Sequence, residues 1–88
     1  MSNKKVRLFA ISTCGWCKRT KRCLEDNEVE ATITDVDLLE GDEKETARKE
    51  VARVNPRRSY PTLIVGEGEN EQVIIGFDED KIKECLGL

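Results

Sequence analysis

The chain has 88 residues, 38% hydrophobic and 38% charged, with 15 basic and 18 acidic side chains and a formal net charge of −3. A chain this short is expected to form one domain over residues 1–88, and such a domain buries only roughly 60–65% of its unfolded surface. The charge balance excludes a general nucleic-acid binder, which shows a clear basic excess, and no apolar run approaches the ~20 residues of a membrane span.

Residues 4–11 are rich in Val, Leu, Phe and Ile with little alternation, which predicts a strand covered on both faces. Ser12-Thr13 end it and offer hydroxyls at the next helix start. That helix is predicted over 15–26, with Cys17, Thr20 or Lys21, and Leu24 on its inward stripe and Asn27 as its stop. Residues 31–36 alternate, with Ile33 and Val36 apolar, and predict a second strand. Leu38-Leu39 follow, then Glu40-Gly41-Asp42 as a turn with a helix cap. A second helix is predicted over 43–54, where Ala47, Val51 and Val54 share one face. Asn55-Pro56 stops it, 57–60 is a loop, and Pro61 precedes a third strand over 62–65. A hairpin loop over 66–70 leads to a fourth strand over 72–75. Gly76-Phe77-Asp78 turns into a short last helix with Ile82, Cys85 and Leu86 on one face. The order β-α-β-α-β-β-α predicts an α/β fold, a four-stranded mixed sheet with helices on both faces.

The most informative stretch is Cys14-Gly15-Trp16-Cys17, at the junction of the first strand and first helix. Two thiols at this spacing can close a small disulfide. A helix N-terminus offers unpaired N–H groups and positive potential, which favour a thiolate. Cys14, nearer the helix start, is expected to attack a foreign disulfide, with Lys18 and Arg19 adding positive charge. Cys17, one turn further in, is expected to be buried and to resolve the mixed disulfide. The competing reading is half a metal site. Tetrahedral zinc needs two further ligands and the chain has no histidine, so no metal is assigned.

The element order, the C-x-x-C motif and a proline opening the third strand resemble the thioredoxin superfold, and within it the glutaredoxins. Cys14-Gly15-Trp16-Cys17 stands where glutaredoxins have Cys-Pro-Tyr-Cys. Ser59-Tyr60-Pro61 stands where they have Thr-Val-Pro, whose proline is cis. Gly76-Phe77-Asp78 stands where they have a Gly-Gly-x-Asp turn. The resemblance implies a thioltransferase with catalytic Cys14 and Cys17. It implies a substrate site made by Trp16, Tyr60, Pro61, Gly76, Phe77, Asp78 and Arg58, with Arg57 beside it. Trp16 is expected to be exposed to partners, Tyr60 to offer its backbone to an extended substrate, and Asp78 to cap the last helix and receive an ammonium group.

The chain departs from that family in three places. Ala10-Ile11-Ser12-Thr13 lacks the lysine that often precedes the first cysteine and holds glutathione, Ile75 replaces a glycine, and Gly15 replaces a proline. Glutathione is therefore expected to act weakly, and the electron donor is left between glutathione, another small thiol and a flavoprotein reductase. Gly15-Trp16 is similar to redoxins that serve ribonucleotide reductase and take electrons from thioredoxin reductase, which is the alternative reading. An iron–sulfur carrier is a further alternative, and Cys17 argues against it because such carriers usually keep only the first cysteine. A binding module with idle thiols is the third. No bound cofactor is expected. The expected partners are disulfide-containing proteins or mixed disulfides, and the expected state is a monomer. Met1-Ser2-Asn3-Lys4-Lys5 lacks the features of a signal peptide, which gives the cytoplasm as the expected compartment. Cys85 is expected to be a buried core thiol and Cys23 a packed one.

Overall fold

The computed structural model describes residues 5–87; Lys4, expected to open the first strand, the residues before it, and Leu88 lie outside the described residues. The elements follow in the predicted order: β1 (Val6–Ala10), α1 (Gly15–Asp26), β2 (Thr32–Asp35), α2 (Gly41–Val54), β3 (Thr62–Val65), β4 (Gln72–Ile75) and α3 (Glu79–Leu86). The sheet order is β2-β1-β3-β4. β1 runs parallel to β2, while β3 is antiparallel to both β1 and β4. Among the described residues no helix is long and apolar enough to cross a membrane.

β1 reads as a continuous apolar run, yet its side chains still alternate between two covered faces. Val6, Leu8 and Ala10 join Leu63, Val65 and Ile74 beneath Cys17 and Leu24 of α1 and Ile82 of α3. Phe9 and Ile64 meet Ala47 and Val51 of α2 on the other face, together with Val36. Each fully buried aliphatic side chain, such as Leu8, Leu24 or Ile82, contributes roughly 1.5–3 kcal/mol relative to exposure.

The inward stripe of α1 is Cys17, Thr20 and Leu24. Thr20 is buried without cost in hydrogen bonding, because its Oγ1 donates to the Trp16 carbonyl at 3.0 Å. Lys21 turns sideways instead and binds Asp35 of β2 at 2.7 Å. Asn27 caps the helix C-terminus, as expected.

Several boundaries differ from the sequence reading: β1 is Val6–Ala10 within the expected 4–11, β2 begins at Thr32, one residue after the expected Ala31, and two further differences bear on packing. β2 ends at Asp35, and Val36–Leu38 form a 3₁₀ turn. Val36 is therefore buried against α2 from a turn, not from a strand, because the chain must bend there to cross the sheet. Ile33, named only as apolar in the sequence, is 45% exposed on β2, an edge strand with one neighbour. α2 begins at Gly41, ahead of the expected Glu43, with Asp42 and Glu43 in its first turn, where acids suit the helix dipole. In the hairpin, Gly66 has φ 94° and a Cβ there would sit 2.6 Å from the Asn70 carbonyl oxygen, so only glycine fits.

Arg7 is the polar member of β1 on the α2 face. Its guanidinium donates to Glu50 of α2 at 2.7 Å and to Glu71 at 3.1 Å. Arg53 of α2 binds the same two carboxylates. These four side chains fasten α2 to the β4 end of the sheet.

Candidate active site

Cys14 is the N-cap residue of α1, in extended backbone (φ −83°, ψ 123°). Its carbonyl accepts the first helical bond, from Lys18 N–H at 3.1 Å. Its Sγ accepts the Cys17 N–H at 3.4 Å. The Cys17 side chain, then its N–H, then the Trp16 N–H hold the Cys14 thiol below its ordinary 9.0. No acid lies in the first turn to oppose a thiolate. Cys17 is fully buried, and its Sγ accepts the Ile11 N–H at 3.5 Å. Burial is the main cause that pushes the Cys17 thiol up to about 11. One residue, Ile11, thus frames both sulfurs, since its carbonyl also accepts the Cys14 N–H at 3.1 Å. Lys18 and Arg19 are not among the causes acting on Cys14; the Arg19 guanidinium lies over the Trp16 ring instead.

Trp16 is 57% exposed. It stacks on Phe77 with ring centroids 6.3 Å apart and an interplanar angle of 21°. The turn before α3 is thereby brought beside the C-x-x-C loop. Gly76 in that turn has φ 81° and donates its N–H to the Pro61 carbonyl at 2.9 Å. Asp78 caps α3, its carboxylate accepting the Lys81 N–H at 3.2 Å.

The Tyr60–Pro61 peptide bond is cis. Pro61 is buried and Tyr60 half-buried, its ring packed against both core clusters. The loop ahead of them is held by Asn55, which the sequence marked only as a helix stop. Asn55 is fully buried, and its Nδ2 donates to the Ser59 carbonyl, Ser59 Oγ and Thr62 Oγ1 at 3.0–3.1 Å. Its Oδ1 accepts the Arg57 N–H at 3.1 Å. Within this clamp Arg58 adopts the left-handed conformation, φ 53°. Arg57 and Arg58 are both exposed.

Beside the thiol loop lies a pocket of about 220 Å³ lined by Ile11, Val36, Asp37, Lys44, Arg48, Arg58 and Tyr60. Sequence reading looked for its cation just before Cys14 and missed Lys44 and Arg48. These stand four apart on α2, on the same side of the helix, a spacing that could have flagged them. Asp37 was also missed. Its carboxylate accepts Ser12 N–H at 2.9 Å and Ser12 Oγ–H at 2.6 Å, fixing the loop that leads into Cys14. Those two bonds, helped by Lys44, hold the Asp37 carboxyl below its ordinary value.

The remaining thiols sit apart from this constellation. Cys23 is half-buried against the α1/α3 core, and burial, then the charge of Glu79, raises its pKa. Cys85 packs on the same core but is half-buried, not enclosed. Its position beside Ile82 on a short terminal helix leaves one flank open. Among the described residues no three Cys, Asp or Glu side chains converge as metal ligands would.

The glutaredoxin family model matches residues 6–69. The crystal structure of methanoredoxin from Methanosarcina acetivorans aligns with a TM-score of 0.88 and 44% identity, over 96% of this chain and 85% of that one. A glutaredoxin from Methanosarcina mazei Go1 gives the same score and identity over 98% of this chain and 81% of its own. An uncharacterised glutaredoxin-like protein of the rubredoxin operon of Clostridium pasteurianum is 25% identical over 81 residues, 92% of this chain and 96% of its own length. The sheet order, the helix-capping dithiol and the cis-proline beside it therefore have one common explanation: the fold is thioredoxin-like and the chain belongs to the glutaredoxin family.

Proposed function

We propose that the chain is a dithiol thioltransferase, reducing protein disulfides or mixed disulfides through Cys14 and Cys17. One observation carries this reading. The Cys17 N–H points into Cys14 Sγ at 3.4 Å while Cys17 Sγ itself is enclosed. The outer thiol is thus the easier of the two to ionise, and the inner one is held protonated by burial.

The Cys14 thiolate attacks one sulfur of a substrate disulfide, forms a mixed disulfide and expels the other sulfur as a thiolate. Cys17 gives up its proton and its sulfur attacks Cys14 Sγ. The second substrate thiolate leaves and the Cys14–Cys17 disulfide closes. Two electrons pass from the dithiol to the substrate, whose thiolates take up two protons. The exposed face of Trp16, the backbone at Tyr60–Pro61 and the turn from Gly76 to Asp78 are the surfaces offered to that substrate.

The pocket rimmed by Lys44, Arg48 and Arg58 supports a small anionic thiol as the reductant. Two equivalents reverse the sequence: the first forms a mixed disulfide with Cys14 and frees Cys17, and the second frees Cys14 and leaves as the small-molecule disulfide. Glutathione belongs to this class, its contacts coming from α2 in place of the absent lysine.

Alkylation by iodoacetamide against pH, with the labelled cysteine mapped by mass, tests the thiol roles. Cys14 is expected to react first, and Cys17 only as the pH approaches about 11. Cys17→Ser is expected to trap a mixed disulfide on Cys14, and Cys14→Ser to abolish exchange. Faster labelling of Cys17 near neutral pH reverses the assignment. The donor is tested by reducing the oxidised protein with glutathione, with uncharged 2-mercaptoethanol, and with NADPH and thioredoxin reductase. On the sequence, the missing lysine before Cys14 makes glutathione a weak donor; with Lys44 and Arg48 supplying that charge from α2, glutathione is instead expected to lead, and Arg48→Glu to remove its lead. Reduction by the flavoprotein alone points instead to a dedicated donor for one enzyme, such as ribonucleotide reductase.

A further inference from the structure

The aromatic pair beside the thiols carries a cation that the exchange chemistry does not use. The Arg19 guanidinium lies 5.1 Å from the centre of the Trp16 ring, and Trp16 in turn stacks on Phe77. A guanidinium held over a ring face still has N–H groups with which to meet a carboxylate as a fork. Among the described residues Lys18, Arg19 and Arg22 of α1 enter no ion pair, whereas Lys21 is tied to Asp35. Across the dithiol, Lys44, Arg48 and Arg58 rim the pocket, also without ion pairs among the described residues. Of the nearby acids, Asp37 is committed to Ser12, Asp78 to the α3 cap and Glu79 to Lys83, leaving Asp80 and Glu45, the latter beside Arg48 and Arg58 on the far side of the pocket cations. The whole chain carries −3. This cluster of unpaired cations around the thiols is therefore a local concentration, opposite in sign to the net charge.

We infer that the protein substrates present their disulfides in acidic segments, with Arg19, held on Trp16, as the residue that receives a substrate carboxylate beside Cys14. The inference rests on the thiol-exchange reading above and specifies its substrate class. Exposed charges at the rim of an interface act mainly on the rate of association. The signature is therefore a salt-dependent rate difference between acidic and basic substrates.

Two synthetic peptides with the same intramolecular disulfide, one flanked by glutamates and one by lysines, provide the test. The chain has one tryptophan, Trp16, so its fluorescence follows oxidation of the pre-reduced protein in a single turnover without any added donor. The acidic peptide is expected to react about tenfold faster at low salt. At ~1 M salt, where screening acts over ~3 Å, the ratio is expected to fall towards unity. Arg19→Glu is expected to lower the acidic-to-basic ratio to one or below, and Lys18→Glu to lower it less. The ratio cancels any change in thiol reactivity that both peptides share. Equal rates in the unaltered protein, or a ratio that Arg19→Glu leaves unchanged, overturn the inference alone. Failure of both peptides to oxidise the dithiol overturns the thiol-exchange reading and the inference with it.

Discussion

The two faces of the sheet are built differently. Under α1 and α3 the core is deep and apolar, with Leu8, Leu24, Leu63 and Ile82 almost wholly enclosed. Under α2 it is thin, from Phe9, Val36, Ala47, Val51 and Ile64. Polar devices complete that second face: the Arg7, Glu50, Arg53 and Glu71 cluster, the Asn55 amide and the Ser12–Asp37 latch. The dithiol stands at the border between them. Its enclosed sulfur, Cys17, belongs to the deep face, which keeps it dry. The pocket that would take a reductant belongs to the thin face, where Lys44, Arg48 and Arg58 remain free to meet a ligand. A dry face encloses the inner thiol, and a polar face carries the charges to which the proposal assigns recognition.

The contrast is broken most directly by cavities. Ile82→Ala, on the deep face, is expected to cost about 3–4 kcal/mol. Val51→Ala, on the thin face, is expected to cost about 2 kcal/mol, since fewer buried groups are removed. Urea unfolding midpoints compare the two, and equal losses would dissolve the distinction between the faces.

Asn55→Ala comes next. It strips partners from Ser59, Thr62 and the Arg57 N–H at once. The expected loss is about 2–3 kcal/mol, the range for buried polar groups left unpaired. A structural hinge alone would leave donor kinetics untouched. The clamp shapes the Arg58 loop, so glutathione-driven reduction is expected to slow as well.

Arg58→Gly separates stability from recognition on the thin face. A non-glycine residue in the left-handed region, as at φ 53°, carries a penalty of about 1 kcal/mol. The variant is expected to unfold at higher urea by about that amount, yet to be reduced more slowly by glutathione. A gain in both would remove Arg58 from the donor pocket.

Glu50→Gln gives the smallest effect. Arg53 first, then Arg7, hold the Glu50 carboxyl down at about 2 against an ordinary 4.5. A depressed carboxylate stabilises the fold above 4.5 and loses that contribution as the pH falls from there through about 2. The pair is partly exposed and its worth is roughly 0–1 kcal/mol. The variant is expected to flatten the fall in stability across this window. Some slope remains, because Asp37 and Glu71 are also held low. An unchanged slope would show that Glu50 adds nothing to the acid sensitivity of the thin face.

Much of this protein was legible in its residues. Periodicity placed all seven regular elements in order, because strand and helix repeats are local properties of the chain. Cys14-x-x-Cys17 at a strand–helix junction marked the candidate thiol pair, and the burial of the second thiol one turn in follows from helix geometry. The cap, read from Ser12-Thr13, is Cys14 itself, because the helix starts at Gly15, beyond the reach of those hydroxyls. The resemblance of Ser59-Tyr60-Pro61 to a known turn supplied the cis bond. Tertiary structure decided the rest. Lys44 and Arg48 share a pocket with Ile11, the residue that frames both sulfurs, only because α2 crosses the sheet. Asp37 meets Ser12 from 25 positions away, and Trp16 meets Phe77 only because the turn before α3 folds back beside the first helix. Such contacts leave no periodic trace, since each partner alone reads as an ordinary solvated side chain. Sequence set the chemistry of the two sulfurs, and the packing of distant segments set the charge and aromatic surface around them.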